Sequence, residues 1–127
     1  MKHIKRGEIY YTNLDSTIGS EQSGNRPVLI IQNDTGNLHS NTTIVAAITS
    51  KEKKAMISHI NIDNCGLNGP SLVLLEQIRT IDKSRLGGYI GKLSSSEMNQ
   101  VDIAIVKSFG IGYLEDLIDG QKTSGNK

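Results

Sequence analysis

Aromatic side chains are scarce: there is no tryptophan, one phenylalanine (Phe109) and four tyrosines, so the core must be aliphatic. The same scarcity argues against a polyproline-binding module of the SH3 type, whose groove is lined by aromatic rings. Cysteine is nearly absent as well. Cys65 stands alone, which excludes an intramolecular disulfide and a cysteine zinc site. Between Asn64 and Gly66 it reads as an incidental thiol in a turn. Charge bias is missing too. A formal charge of +1 gives no whole-molecule attraction for a polyanion. A nucleic-acid partner would need a local patch, or one assembled from two subunits. No apolar run approaches the ~18 residues of a membrane helix, and none follows Lys2, Lys5 and Arg6 as in a secretory leader. The expectation is a cytoplasmic protein with no membrane contact.

Metal-ligand clusters are not visible either. Asp15, Asp34, Asp63, Asp82 and Asp102 are scattered, and His3, His39 and His59 are isolated, with no HxxxH or DxD spacing. The expectation is no metal and no cofactor. No nucleophile-elbow pattern supports a Ser-His-Asp triad. His59, on an alternating segment, reads as a surface residue.

What is present is a series of short β-type runs and one helix. At 127 residues the chain fits a single domain over 1–118, followed by a polar tail at 119–127 expected to be disordered. Ile9-Tyr10-Tyr11 opens a first strand, with Asn13 to Asn25 as a long loop. Val28 to Gln32 and Thr43 to Thr49 are unbroken apolar runs, hence strands buried on both faces. Asn33 to Asn37 is dense turn chemistry, and Lys51 to Lys54 a charged connection. Ile57 to Ile62 alternates as a half-exposed strand. Asn64 to Pro70 is a turn-rich link, Ser71 to Ile81 a further strand, and Leu86 to Leu93 a short one. Ser94-Ser95-Ser96-Glu97 matches a capping box. Behind it Met98, Val101, Ala104, Ile105, Ser108 and Phe109 form a helical stripe that reads as core. Gly110 and Gly112 end that helix, and a short second one is expected over Tyr113 to Ile118. The fold class that follows is mainly β, or α+β: a curled antiparallel sheet or small barrel with helical cover.

The most informative segment is Gly19-Ser20-Glu21-Gln22-Ser23-Gly24-Asn25-Arg26-Pro27-Val28-Leu29-Ile30-Ile31. Pro27 disfavours helix at Arg26, so a permanently charged, forked donor leaves an extended backbone beside a glycine-flanked loop. That arrangement suits a phosphate. If the strands at Val28 and Thr43 are antiparallel neighbours, Arg26 and Thr49 meet at one rim of the sheet.

Lys5-Arg6-Gly7-Glu8-Ile9-Tyr10, Gly19-Ser20-Glu21-Gln22 through Arg26-Pro27-Val28, Ile31-Gln32-Asn33-Asp34, Ala46-Ala47-Ile48-Thr49 and Leu74 to Asp82 together resemble the MazF/PemK toxin family of sequence-specific mRNA interferases. The resemblance is to the Gram-positive branch, from Ile4 to about Val106. One departure is Ser40-Asn41-Thr42, where close relatives often have Ser-Pro-Thr. The resemblance implies an SH3-like β-barrel with added helices, and a homodimer. It also implies metal-independent cleavage of single-stranded mRNA to 2′,3′-cyclic phosphate and 5′-OH ends. Its catalytic positions fall on Arg26 and Thr49. Its RNA contacts would be Ser20, Glu21, Gln22, Asn25, Ser50, Gln77 and Arg79, with Glu21 a candidate base by position. A MazE-like antitoxin is the implied partner, with operator DNA engaged through that antitoxin. The competing reading is a non-catalytic poison similar to CcdB, which binds gyrase; it needs no arginine and threonine converging on a phosphate.

Overall fold

Burial on both sides of one sheet explains the apolar runs at residues 28–30, 44–48 and 72–75 of its central strands. The computed structural model describes residues 3–14, 19, 21, 24–112 and 118–120. Its strands are β1 (Glu8–Leu14), β2 (Gly24–Ile30), β3 (Thr42–Thr49), β4 (His59–Ile62), β5 (Ser71–Asp82) and β6 (Leu86–Lys92). They form one sheet in the order β4-β5-β3-β2-β1-β6, every pairing antiparallel. Helix α1 (Asp34–His39) joins β2 to β3, and α2 (Ser95–Phe109) follows β6.

One face buries Ile9, Leu29, Ala46, Ile48, Val73 and Leu75 under Val101 and Ala104 of α2. The opposite face buries Tyr10, Leu14, Val28, Ile30, Val45, Ala47, Leu74, Ile81 and Leu86. Consecutive residues of β2, β3 and β5 thus enter different cores, and each fully buried Val, Leu or Ile contributes roughly 1.5–3 kcal/mol.

The sheet curls without closing: among the described strands, β4 and β6 are edges. Its ends are nevertheless held together by backbone. A Cβ on Gly91 of β6 would lie 2.0 Å from the Cys65 carbonyl oxygen, and one on Gly66 2.2 Å from the Ile90 oxygen. Only glycine allows that approach. Arg6 ties the N-terminal segment to both layers, donating to the Ile31 carbonyl (2.7 Å) and pairing with Asp102 of α2 (2.8 Å). No helix among the described residues is long and apolar enough to cross a membrane.

Several local expectations need correction. Asn33 to Asn37, read as a turn, starts α1: the Asn33 side chain accepts from the Gly36 N–H at 2.8 Å, so the same residues act as a helix cap. Strand β2 begins at Gly24 (φ +79°), earlier than Val28, which shortens the loop expected over Asn13 to Asn25. The capping box at Ser94 and Glu97 is present, but Phe109 at the end of the expected core stripe is 58% exposed. The short helix expected over Tyr113 to Ile118 lies, for 113–117, outside the described residues. The tail expected from Asp119 begins with helical backbone at 118–120, and its remainder also lies outside them.

Candidate active site

Register decides what the β2 and β3 ends do together. The β2–β3 pairing ends at Val28 and Ala47; Arg26 lies two residues before Val28 and Thr49 two residues after Ala47, at the same end of the two antiparallel strands. Directly opposed residues of an antiparallel pair share a face. This is the face that carries Val28, Val45 and Ala47, away from α2. Thr49 is buried, 1% exposed, and its Oγ1 accepts from the Lys51 N–H at 3.2 Å. That is deeper than the open rim its sequence position suggests, with the hydroxyl proton left to donate.

Two cavities adjoin here. One of about 600 Å³ is lined by Thr49, Ser50, Lys51, Lys53, His59 and Asn61, with Ser71 and Leu72 at its wall. The other, of about 420 Å³, is lined by Tyr11, Arg26, Pro27, Ser50, Pro70 and Ser71. Ser50, Pro70 and Ser71 belong to both, so the cavity beside Thr49 and the cavity beside Arg26 share a wall. Lys51 and Lys53 place positive charge beside it. Asn25 is exposed next to Arg26 on β2. Ser20 and Gln22, also expected as RNA contacts, lie outside the described residues.

A third cavity, about 160 Å³, gathers Glu21, Glu76, Gln77 and Arg79 with Leu14 and Ala47. Its cause is an irregularity in β5. Ala46 pairs with Ile78 but Ala47 with Leu74, so Leu75, Glu76 and Gln77 have no partner on β3. A bulge of this kind bends the strand and re-aims its side chains. Arg79, opposite Val45, shares the face of Thr49, and its Nη1 is buried without a hydrogen-bond partner among the described residues. Gln77, Arg79 and Glu21 are therefore brought together, outside the cavities beside Thr49 and Arg26.

Sequence reasoning missed one group. His59, read as a surface residue, has a side chain only 5% exposed, because β4 pairs with β5 and turns it into the large cavity. Its Nε2 lies 2.9 Å from Glu76 Oε2, and Ser58 Oγ donates to Glu76 Oε1 at 3.0 Å. Burial works to raise the Glu76 carboxyl, but hydrogen bonds from His59, the backbone and Ser58 outweigh it, leaving its pKa below the ordinary glutamate value. His59 Nδ1 is buried with no hydrogen-bond partner among the described residues. A histidine opposite a glutamate has no signature in sequence, since only the β4–β5 register creates the pair. Elsewhere Tyr10 is pushed up to about 12 by burial and by the adjacent Glu8 carboxylate, which fits a packed structural phenol. Burial likewise pushes the Cys65 thiol up, which suits an inert thiol.

Comparison with known proteins identifies the family. The chain is 49% identical over 111 residues to Endoribonuclease EndoA of Bacillus subtilis (strain 168), covering 85% of this chain and 96% of that one. Among solved structures, Mycobacterium tuberculosis toxin MazF-mt6 superposes with a TM-score of 0.72 at 29% identity, covering 84% of this chain and 99% of the other. A mycobacterial endoribonuclease in complex with its cognate antitoxin shares the fold, with a TM-score of 0.74 at 23% identity over 87% of this chain and 98% of the other. The profile of the family described as PemK-like, MazF-like toxin of type II toxin-antitoxin system matches residues 5–109. With that match spanning most of the sheet and α2, the chain belongs to the PemK-like, MazF-like family of type II toxins.

Proposed function

We propose that this toxin is an endoribonuclease that cleaves single-stranded mRNA at a short recognition sequence without a metal ion, using Arg26 and Thr49. The observation that supports the reading is the antiparallel β2–β3 pairing, with Arg26 and Thr49 each two residues beyond its last pair at the same end and each lining a cavity that also includes Ser50, Pro70 and Ser71. In the reaction the ribose 2′-oxygen attacks phosphorus as its proton leaves to a base. The P–O5′ bond breaks and O5′ takes up a proton, giving a 2′,3′-cyclic phosphate and a 5′-OH. Negative charge builds on the non-bridging oxygens, where donors fixed in advance stabilise it most. Thr49 Oγ1 already accepts from Lys51, so its proton is free to point at such an oxygen. A guanidinium stays protonated in proteins, so Arg26 serves as electrostatic stabiliser and proton donor to O5′, not as base.

Specificity comes from unpaired bases read by Ser20, Glu21, Gln22, Asn25, Ser50, Gln77 and Arg79, which is why duplex RNA is protected. The toxin acts in the cytoplasm as a homodimer. A lone chain of +1 charge offers little surface to hold RNA, and exposed Met56 and Ile57 beside the Thr49 cavity suit burial against a second copy. A MazE-like antitoxin, folding as it binds, blocks the groove and links the complex to operator DNA. The deciding experiment incubates purified protein with a long single-stranded RNA in EDTA and maps the ends. Cyclic phosphate and 5′-OH termini at a recurring short sequence are expected. Activity that EDTA abolishes and magnesium restores contradicts the mechanism.

A further inference from the structure

Resting on the ribonuclease reading, we propose that His59 Nδ1 is a substrate-contacting acceptor, taking a hydrogen bond from a donor group of the RNA bound beside Thr49. Glu76 and Ser58 act as its positioning residues.

The chemistry of the ligand follows from the state of the ring. An ionised Glu76 takes the Nε2 proton at 2.9 Å, and its other oxygen is held by Ser58 Oγ at 3.0 Å. In a neutral ring that donates from Nε2, Nδ1 carries a lone pair and no hydrogen. That atom is buried and unpartnered, in a side chain 5% exposed. A buried acceptor without a donor is costly in a folded protein, and such groups often serve ligands. To the neutral ring a phosphate diester offers only acceptors. A ribose 2′-OH or a nucleobase N–H can donate to it.

Placement ties the atom to the reaction. Thr49 and Asn61 pair with Leu72 from its two sides, and His59 pairs with Leu74, so Thr49, Asn61 and His59 share a face. Two strand spacings of about 4.8 Å and a two-residue offset of about 6.8 Å separate the Thr49 and His59 backbones by roughly 12 Å. The cavity between them is about 600 Å³, within the usual range of small-molecule pockets of ~300–1,000 Å³. The other charged groups lining it are Lys51, Glu52 and Lys53, whose net sign favours a polyanion.

The test follows the His59 ring nitrogens by ¹⁵N NMR in an Arg26→Ala protein, first with saturating intact RNA and then with RNA carrying a 2′-deoxyribose at the cleavage position. A change at Nδ1 with both RNAs identifies a nucleobase donor. A change with intact RNA alone identifies the 2′-OH, which makes His59 the base that receives its proton. No change with either means that only water fills the site, and the proposal is overturned. In parallel, His59→Gln keeps an amide for Glu76 but offers nothing at the Nδ1 position. Its kcat/KM should fall roughly 10- to 100-fold, the loss of one buried partner, while His59→Asn, which restores an acceptor there, recovers part of it. Glu76→Gln should alter the ring-nitrogen pattern of the free protein, which a merely structural carboxylate would not do. Wild-type-like cleavage by His59→Gln refutes the proposal and leaves the ribonuclease reading standing; no cleavage by the wild type refutes that reading itself.

Discussion

Thr49 has a stability role and a chemical role that different substitutions separate. It is 1% exposed, so its methyl group is packed, and its Oγ1 accepts only the N–H of Lys51, an exposed residue that water can serve instead. Thr49→Ser keeps the hydroxyl and deletes one buried methyl, at a cost of about 0.5–1.5 kcal/mol by analogy with Ile→Val. Thr49→Val keeps the shape and loses one hydrogen bond, at a similar cost of about 0.5–1.5 kcal/mol. Near this chain length 1 kcal/mol moves Tm by roughly 3–5 °C, so thermal unfolding should barely distinguish the two variants. Cleavage should distinguish them sharply. Thr49→Val removes the donor aimed at the transition-state oxygen and should lose about 10²–10³ in kcat/KM. Thr49→Ser should remain within about tenfold of the parent, because its hydroxyl keeps the same partner but gains rotamer freedom. Thr49→Ala combines both losses. The assay is initial-rate cleavage of a fluorescent single-stranded RNA beside a thermal melt of each variant. If Thr49→Val cleaves as the parent does, the hydroxyl has no part in the chemistry and the assignment falls. If Thr49→Ser is as inactive as Thr49→Val, packing rather than donation explains the loss.

Three further outcomes are expected. Arg26→Ala and Arg26→Lys should both lose at least about 10²-fold in cleavage with little change in melting, since a point charge does not replace a forked donor; near-parental rates in the lysine variant would show that charge alone suffices. Gly91→Ala should cost about 2–3 kcal/mol or more in urea unfolding, because its Cβ meets the Cys65 carbonyl at 2.0 Å, whereas Gly88→Ala, with nothing within 4 Å, should stay within about 0.5 kcal/mol. The Asp34 carboxyl is lowered chiefly by the Arg6 N–H at 2.7 Å, which with Asn37 and the Lys5 and Arg6 charges outweighs the opposing effect of burial. Its folded value thus lies below its unfolded one, so its stabilisation is complete above the unfolded value near ~3.9 and fades as pH falls through the folded one; Asp34→Asn should flatten that part of the stability–pH curve, and an unchanged curve would contradict it.

Local chemistry made much of this protein legible in one dimension. Apolar β-branched runs marked β2, β3 and β5, because residues buried on both faces leave no polar positions. Ser94 and Glu97 marked the start of α2, because a capping box is completed within four residues. Arg26 and Thr49 stood out because a charge and a hydroxyl flank those runs. Tertiary structure decided everything that depends on which strand lies beside which. The β2–β3 pairing brought the Arg26 and Thr49 ends of those strands to one side of the sheet, and the register shift in β5 gathered Glu76 and Gln77 with Arg79 around one cavity. The β4–β5 pairing buried His59 against Glu76, although alternation had assigned that ring to the surface. Asn33 likewise capped a helix where its neighbours suggested a turn, since Asn, Asp and Gly serve both and the Arg6–Asp34 contact favours the helix. Periodicity reports the faces of an element, whereas register and bulges arise from backbone bonds between residues distant in sequence, and those bonds built the site.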